Sequence, residues 1–184
     1  LFFIFTSGTT GLPKATRCSH GRYLMSATSE AVLLEIGAGD CMYVVLPMFH
    51  IAALSAIGAA LGVHASVAIR PRFSASAFWD DVHAFSATHF QYLGEILRYL
   101  LARPPAATDR PNTMRAMIGA GADERVWRAF DERFGPVRIL ESYGSSEGVI
   151  GVFNLDGVVG SVGRPQPGLA ERLEPVLRGD LRDL

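Results

Sequence analysis

The chain has 184 residues, of which 49% are hydrophobic and 19% are charged, and its formal net charge is −1. This composition argues against an intrinsically disordered chain, and the balanced charge argues against a general surface for nucleic acid. The longest apolar stretch, residues 51–63, is too short to cross a bilayer and favours a buried helix. Two cysteines without metal-ligand spacing, and no signal-like segment, favour a reducing cytoplasmic setting.

The first predicted element is a buried strand over residues 1–5, which leads into a loop of glycine and hydroxyl residues from Thr6 to Lys14. Glycine lets backbone N–H groups converge on an anion, and serine, threonine and lysine side chains add donors that suit phosphate. Of the 17 basic residues, Lys14 is the only lysine. A plain surface loop is the alternative, but the single lysine favours a site for polyphosphate.

The loop differs from that of the P-loop NTPases, whose pattern is G-x-x-x-x-G-K-[ST]. Leu12 and Pro13 separate Gly11 from Lys14, and Ala15 stands where that pattern has a serine or threonine for magnesium. Pro13 also disfavours a helix that would begin before the lysine. The sequence therefore predicts a phosphate loop of another kind.

Helices and strands alternate downstream. Helices are predicted at residues 23–36, 52–62, 95–101 and 123–134, and a further helix is predicted to begin with Ser74 as its N-cap. Strands are predicted at residues 42–46, 66–69, 89–93, 114–118 and 137–141. This alternation predicts an α/β fold with a mainly parallel, doubly wound sheet covered on both faces. Ligands bind at the carboxyl ends of such strands, and three strands are predicted to end there, at residues 7, 119–121 and 143–147. Beyond residue 149, short β-like pieces predict a second, small β-rich subdomain.

A second motif lies at the end of the last strand, where Glu141 and Ser142 precede Tyr143-Gly144-Ser145-Ser146-Glu147. Taken alone, the tract is typical of a turn. Its carboxylate and hydroxyls also suit a magnesium–phosphate complex, because magnesium prefers hard oxygen ligands.

Together these motifs resemble the adenylate-forming superfamily, which includes acyl-CoA synthetases, luciferases and adenylation domains of peptide synthetases. The superfamily pattern T-S-G-[ST]-T-G-x-P-K matches at every position from Thr6 to Lys14, with Ala15 in place of the usual following glycine. The pattern Y-G-x-T-E matches from Tyr143 to Glu147, with Ser146 in place of threonine. Residues 72–79 and 91–100 resemble, more specifically, the fatty-acid-transport and very-long-chain acyl-CoA synthetase branch.

The resemblance implies the following site. The β- and γ-phosphates of ATP are held by the first loop: Thr6, Ser7, Gly8, Thr9, Thr10, Gly11 and Lys14. Adenine and the α-phosphate are held by the second: Tyr143, Gly144, Ser145 and Ser146. Magnesium is bound by Thr6 and Glu147. The adenine and acyl pocket is lined by Gly119, Ala120 and Gly121, and His50, in a matching L-P-x-[FY]-H motif, lies beside the carboxylate. From the residues alone, 119–121 is equally a strand-to-helix turn, and His50 is equally a structural histidine.

A further match, G-x-x-G-x-P at residues 160–165, is more typical of a turn with a solvated arginine when it is taken alone. The resemblance also implies residues 1–150 as part of the AMP-binding core and 151–184 as the start of the β-rich subdomain. The superfamily's ribose-binding aspartate and its C-terminal lysine have no match. We therefore expect this chain to be part of a longer enzyme and not to complete the reaction alone.

The implied function is an ATP-dependent fatty acid–CoA ligase (acyl-CoA synthetase), with ATP, fatty acid and CoA as small-molecule substrates and Mg²⁺ as cofactor. The alternatives are a non-catalytic nucleotide- or acyl-binding module, and an enzyme that activates aryl or amino acids. No nucleic-acid partner is expected. The sequence leaves peripheral membrane contact, acyl-chain length and oligomeric state open.

Overall fold

The computed structural model describes residues 1–6, 14–144 and 151–165. The helices in these ranges are α1 (His20–Leu34), α2 (Ile51–Gly62), α3 (Phe78–Phe85), α4 (Gly94–Leu101) and α5 (Glu124–Phe134). The strands are β1 (Phe2–Thr6), β2 (Lys14–Cys18), β3 (Cys41–Val44), β4 (Ser66–Ile69), β5 (His89–Leu93), β6 (Ala116–Ala120), β7 (Arg138–Gly144), β8 (Gly151–Phe153) and β9 (Arg164–Pro165).

The main sheet has the strand order β4-β3-β5-β6-β7-β8-β9. The five strands from β4 to β7 in this order are parallel, and β8 and β9 extend the sheet in antiparallel pairing. The predicted α/β fold with a mainly parallel sheet is confirmed. The central strands contribute side chains with almost no exposure, among them Met42, Tyr43, Phe90 and Met117, because a parallel sheet is covered on both faces.

The helices form two groups. Helix α1 packs against α2, and α4 packs against α5. Trp79 of α3 lies with its ring 4.7 Å from that of Phe134 in α5, which joins α3 to the second group. The crossovers β3-α2-β4 and β4-α3-β5 run in opposite directions across the sheet, so right-handed connections place α2 and α3 on opposite faces. The result is a doubly wound arrangement.

The amino-terminal strand differs from its prediction. Strand β1 pairs antiparallel with β2, which the sequence reading missed, in a separate two-stranded sheet. Alternate side chains of β1 are exposed, including Phe3 and Phe5, whereas Ile4 is buried. The expectation of a buried strand that ends at the carboxyl edge of the main sheet is therefore wrong for residues 1–5. An apolar run indicates a strand, but it does not indicate in which sheet the strand lies.

Helix starts follow local hydrogen bonds. The Ser19 hydroxyl accepts from the Arg22 N–H at the start of α1, and the Asp123 carboxylate accepts from the Val126 N–H at the start of α5. The predicted N-cap at Ser74 is wrong, because α3 begins only at Phe78. The Ser74 hydroxyl instead lies 3.1 Å from the Ser76 hydroxyl, and the Ser74 carbonyl oxygen accepts a hydrogen bond from the Ala77 N–H in a turn.

The carboxyl-terminal described residues continue the sheet. Strand β8 pairs with β7, and β9 pairs with β8. Residues 166–184 lie outside the described part, so the division into a core at 1–150 and a β-rich subdomain at 151–184 stays a prediction. No helix in the described ranges is long and apolar enough to cross a membrane. Both cysteines are buried free thiols, and no group of His, Cys, Asp and Glu side chains suited to a metal occurs among the described residues.

Candidate functional site

The predicted phosphate loop lies between the two strands of the amino-terminal hairpin. Thr6 ends β1, Lys14 begins β2, and the two residues form the last pair of the antiparallel ladder. Opposite residues of such a ladder have Cα atoms about 5 Å apart, so the two ends of the segment 7–13 are held side by side. Lys14 is exposed at this position. The loop residues named above, Ser7, Gly8, Thr9, Thr10 and Gly11, lie outside the described part of the chain.

The glycine segment at 119–121 ends β6 at the carboxyl edge of the main sheet. Gly121 has a φ of +97°, in the region that favours glycine. Gly94, the first residue of α4, lies against it, so that a Cβ on Gly94 would overlap the Gly121 carbonyl oxygen. A Cβ on Gly119 would overlap the carbonyl oxygen and ring of Tyr92 in β5. The ends of β5 and β6 therefore approach so closely that only glycine fits at these positions.

Glu141 links this segment to strand β7. Its carboxylate accepts hydrogen bonds from the backbone N–H of Gly121, the N–H of Ala122 (3.1 Å) and the hydroxyl of Tyr92. The Glu141 side chain is almost fully buried, with 3% exposure. Burial raises the pKa of Tyr92, and the hydrogen bond to the Glu141 carboxylate raises it further. The Tyr92 hydroxyl therefore remains a donor throughout the physiological range.

Beyond Glu141, strand β7 pairs with β8 and no longer with β6. Its parallel ladder with β6 ends at Gly119 opposite Glu141, while its antiparallel ladder with β8 begins at Ser142. The Ser142 hydroxyl donates to the Gly119 carbonyl oxygen at 2.7 Å. Tyr143 follows with 61% exposure, so its ring is available to a ligand. The next predicted site residues, Ser145, Ser146 and Glu147, lie outside the described part of the chain.

Arg98 holds the glycine segment from the solvent side. Its guanidinium donates to the Gly121 carbonyl oxygen at 3.3 Å and to the Asp123 carboxylate at 2.9 Å, and it forms an ion pair with Glu95. Hydrogen bonds from the Val126 N–H and from Arg98 lower the pKa of Asp123. The turn from β6 into α5 is therefore bonded through both its N–H and its carbonyl groups.

His50 precedes α2 and caps that helix. Its Nδ1 accepts a hydrogen bond of 3.2 Å from the Ala52 N–H. A neutral imidazole that accepts at Nδ1 carries its proton at Nε2, so Nε2 is a donor. Capping is thus one role that the structure gives to His50, and it leaves the predicted place beside the carboxylate as a proposal.

The motif at 160–165 consists of a loop that packs on the start of α5 and of strand β9. A Cβ on Gly160 would lie 2.8 Å from the Glu124 Cβ, and Gly163 lies against the backbone of Phe153 in β8. The loop is held from inside by Asn154, which is buried and whose amide donates to the carbonyls of Val158 and Ser161. Arg164, the predicted solvated arginine, is largely exposed and pairs with Asp156 at 3.3 Å.

The structure thus brings together Gly119, Ala120, Gly121 and the strand that carries Tyr143 and Gly144, while Lys14 and His50 lie on other elements. The sequence reading assigned no role to Glu141, Tyr92, Gly94 or Arg98. The available signal for Glu141 was a carboxylate that directly follows the apolar run Ile139-Leu140 in a predicted buried strand, since buried carboxylates are rare unless they have partners.

Known proteins match this chain over most of its length. A family model described as AMP-binding enzyme matches residues 1–174. The chain is 44% identical over 163 residues to long-chain fatty acid transport protein 3 of Mus musculus, across 88% of this chain and 24% of that protein. It is 45% identical over 163 residues to long-chain fatty acid transport protein 2 of Rattus norvegicus, across 88% of this chain and 26% of that protein. The chain spans about a quarter of the length of these curated relatives.

Solved structures resemble the fold as well, and each covers 90% of this chain. The inhibitor-bound N-terminal domain of FACL13 from Mycobacterium tuberculosis has a TM-score of 0.75 and 26% identity, with 43% of that chain covered. O-succinylbenzoate coenzyme A synthetase from Bacillus subtilis, in complex with ATP and magnesium, has a TM-score of 0.74 and 27% identity, with 35% covered. ATP-bound MatB from Rhodopseudomonas palustris has a TM-score of 0.76 and 26% identity, with 34% covered.

Proposed function

Because this chain belongs to the AMP-binding enzyme family, we propose that the protein carrying it is an ATP-dependent fatty acid–CoA ligase. A carboxylate oxygen of the fatty acid attacks the α-phosphorus of ATP, and pyrophosphate leaves. The thiol sulfur of CoA then attacks the acyl carbonyl, and AMP leaves with the oxygen that the carboxylate supplied. The first step is needed because an oxide ion is a poor leaving group, whereas AMP is a good one.

The observation that carries this proposal is the convergence of glycines and Tyr143 at the carboxyl edge of the sheet. The ends of β5, β6 and β7 leave backbone and one exposed aromatic ring at that edge, where ligands bind in parallel sheets. We assign Tyr143 to stack on adenine and residues 119–121 to line the adenine and acyl pocket. A flat heteroaromatic base and an apolar chain both suit such a surface.

The hairpin is assigned to the phosphates. Thr6 and Lys14 hold the ends of the loop, and the Lys14 ammonium places a positive charge where pyrophosphate leaves. Magnesium bound with ATP would neutralise charge on the phosphate oxygens. We assign the Glu147 carboxylate and the Thr6 hydroxyl as its ligands, and this assignment rests on the family motif. Hard oxygen donors of this kind fit magnesium.

We assign His50 to the acid. With Nδ1 engaged by the Ala52 N–H, Nε2 is the donor that remains for a carboxylate oxygen of the fatty acid. A donor in this place orients the carboxylate for attack and does not remove its charge. The capping bond and the substrate contact use different ring nitrogens, so the two roles are compatible.

Fatty acid is favoured over aryl and amino acids because the curated relatives named above, at 44% and 45% identity, are long-chain fatty acid transport proteins. The succinylbenzoate-activating structure is only 27% identical. CoA as the acceptor is supported by the name of that same structure, a coenzyme A synthetase. The chain has only two cysteines, Cys18 and Cys41, and this low number favours a reducing cytoplasmic compartment.

The test is pyrophosphate exchange into ATP by the whole protein that carries this chain, with acids of increasing chain length and with benzoate and amino acids as comparisons. We expect exchange that depends on a fatty acid, followed by formation of the acyl-CoA when CoA is added. Exchange with aryl or amino acids alone would assign the protein to the other activating enzymes. ATP binding without exchange for any acid would favour the non-catalytic module.

A further inference from the structure

We propose that Glu141 is a positioning residue, which fixes the backbone of the segment 120–122 and so sets the shape of the pocket wall. This inference rests on the proposed function, which assigns that segment to the nucleotide and acyl pocket. It adds a residue to which the motifs described above assign no role. Glu141 touches no substrate in this account and acts only through the backbone.

The β6–β7 ladder ends just before the segment 120–122. The last pair of this ladder is Gly119 opposite Glu141, so no backbone ladder joins the next residues of the two strands. The N–H groups of Gly121 and Ala122 would then lack an acceptor from β7. The Glu141 carboxylate accepts from both. A side chain therefore continues the link between the strands after the ladder has ended.

Hydrogen bonds hold Gly121 from both sides. The N–H of Gly121 donates to Glu141, and its carbonyl accepts from Arg98 at 3.3 Å. Peptide groups are planar, so these two bonds orient the peptides before and after Gly121. Ala120 and Gly121 are themselves exposed. Ala120 also pairs with Leu93 in the β5–β6 ladder, and Gly94 lies against Gly121. The buried carboxylate adds a charged acceptor for the N–H groups of this exposed segment.

Tyr92 allows the positioning role of Glu141 to be distinguished from the effect of burying its carboxylate. Its hydroxyl donates to the same carboxylate, but the bond joins Glu141 to β5 and not to the pocket wall. Tyr92→Phe removes a buried hydrogen bond to Glu141 and leaves both backbone bonds in place. It is therefore the matched control for a change of Glu141 itself.

The test compares Glu141→Gln with Tyr92→Phe in the whole protein that carries this chain. Glutamine is the same size, but its amide has one acceptor oxygen, so one of the two N–H groups faces an NH₂ donor. We expect Glu141→Gln to raise the KM for ATP by about tenfold, and Tyr92→Phe to raise it by less than about threefold, at a temperature where both are folded. Amide exchange measured by NMR should speed up at Gly121 or Ala122 only in Glu141→Gln.

Equal ATP KM values for the two variants, with unchanged amide exchange at Gly121 and Ala122, would overturn the inference. If Glu141→Gln does not fold, Arg98→Met replaces it, because Arg98 is partly exposed and bonds the same Gly121 from the other side. A rise in the ATP KM of more than about threefold, beyond the limit set for Tyr92→Phe, supports the proposal, and a rise within that limit contradicts it. Failure of the proposed function would show separately, as wild-type protein that performs no pyrophosphate exchange with any acid.

Discussion

Thr6 and Lys14 face each other as the last pair of the hairpin formed by β1 and β2. The pairing means that the signature loop begins and ends at one place, with the lysine fixed beside the first threonine. The sequence predicts that the loop follows a strand of the parallel sheet, but in the structure its two ends belong to a hairpin. The lysine is presented on a strand, unlike the lysine of a P-loop, which opens a helix.

Lys14→Ala should weaken ATP binding or slow acyl-adenylate formation by at least about tenfold, because a charge-assisted bond to phosphate is lost. Arg17→Ala is the matched control: it removes one positive charge from the same strand, three residues further on. The KM for ATP and the rate of pyrophosphate exchange report the effect. Equal effects of the two variants would mean that Lys14 acts only through net charge.

Gly94→Ala should destabilise the protein by at least about 2 kcal/mol and raise the KM for ATP, because the new Cβ overlaps the Gly121 carbonyl. Gly21→Ala is the control, since a Cβ at Gly21 in α1 meets no atom within 4 Å. Alanine favours a helix over glycine, so this control should be neutral or more stable by about 1 kcal/mol. Urea unfolding of both variants tests the difference.

His50→Ala should cost about 1 kcal/mol of stability, because the Ala52 N–H loses its acceptor, and His50→Asn should restore most of it. If His50 also orients the carboxylate, asparagine will rescue stability but not the KM for the fatty acid. Thermal unfolding of both variants, together with their rates measured at increasing fatty acid concentration, separates the two roles. Full recovery of the kinetics in His50→Asn would leave capping as the whole role of the residue.

Glu30 should make stability depend on pH. It lies buried between α1 and α2, where the Ser55 hydroxyl donates to one oxygen while the other has no partner among the described residues. Burial raises the pKa of Glu30 from 4.5 to about 7. Between these two pH values the folded state holds a proton that the unfolded state has lost. The stability that protonated Glu30 contributes is therefore fully present below about pH 4.5 and is lost as the pH rises through about 7.

The contribution lost is on the order of 3 kcal/mol for a shift of this size. Glu30→Gln keeps an acceptor for Ser55 and carries no charge, so it should remove this pH dependence and be more stable than wild type at pH 8. Urea unfolding between pH 4.5 and pH 8 checks the expectation. A wild-type protein whose stability rises over this interval, together with an unchanged slope in Glu30→Gln, would show that Glu30 is ionised in the fold.

Arg133 and Arg128 on α5 offer a test of burial. Arg133 is mostly buried, pairs with Asp109 at 2.9 Å, and also donates to the carbonyls of Leu101, Arg103 and Pro104. Arg133→Met should cost about 2–4 kcal/mol, because it leaves a buried carboxylate unpaired. Arg128→Met, whose exposed pair with Glu124 is also 2.9 Å long, should cost less than about 0.5 kcal/mol.

The alternation of elements could be predicted because each helix and strand has its own local pattern. Strands β4 and β5 begin and end where the sequence reading placed them, and α5 begins one residue after its predicted start, since Asp123 is its cap. The hairpin could not be predicted in this way. Its second strand has a polar, mostly exposed sequence, and its pairing depends on β1 and not on its own periodicity.

The site divides in a similar way. The motifs predict the loop residues and Tyr143 as site residues, because their spacing is a property of the sequence. The roles of Glu141, Tyr92 and Gly94 depend on which strand ends lie together, and only the order β5-β6-β7 shows that. The hydrogen bond from Gly121 to Glu141 joins residues 20 positions apart, a distance at which no local pattern operates.

The most direct test of adenylation is the fate of the carboxylate oxygen. The whole protein that carries this chain would be supplied with ATP, CoA and a long-chain fatty acid labelled with ¹⁸O in its carboxylate, and the products analysed by mass spectrometry. We expect AMP that carries one ¹⁸O atom, together with unlabelled pyrophosphate. Unlabelled AMP, or ADP together with ¹⁸O-labelled inorganic phosphate, would contradict activation through an acyl-adenylate.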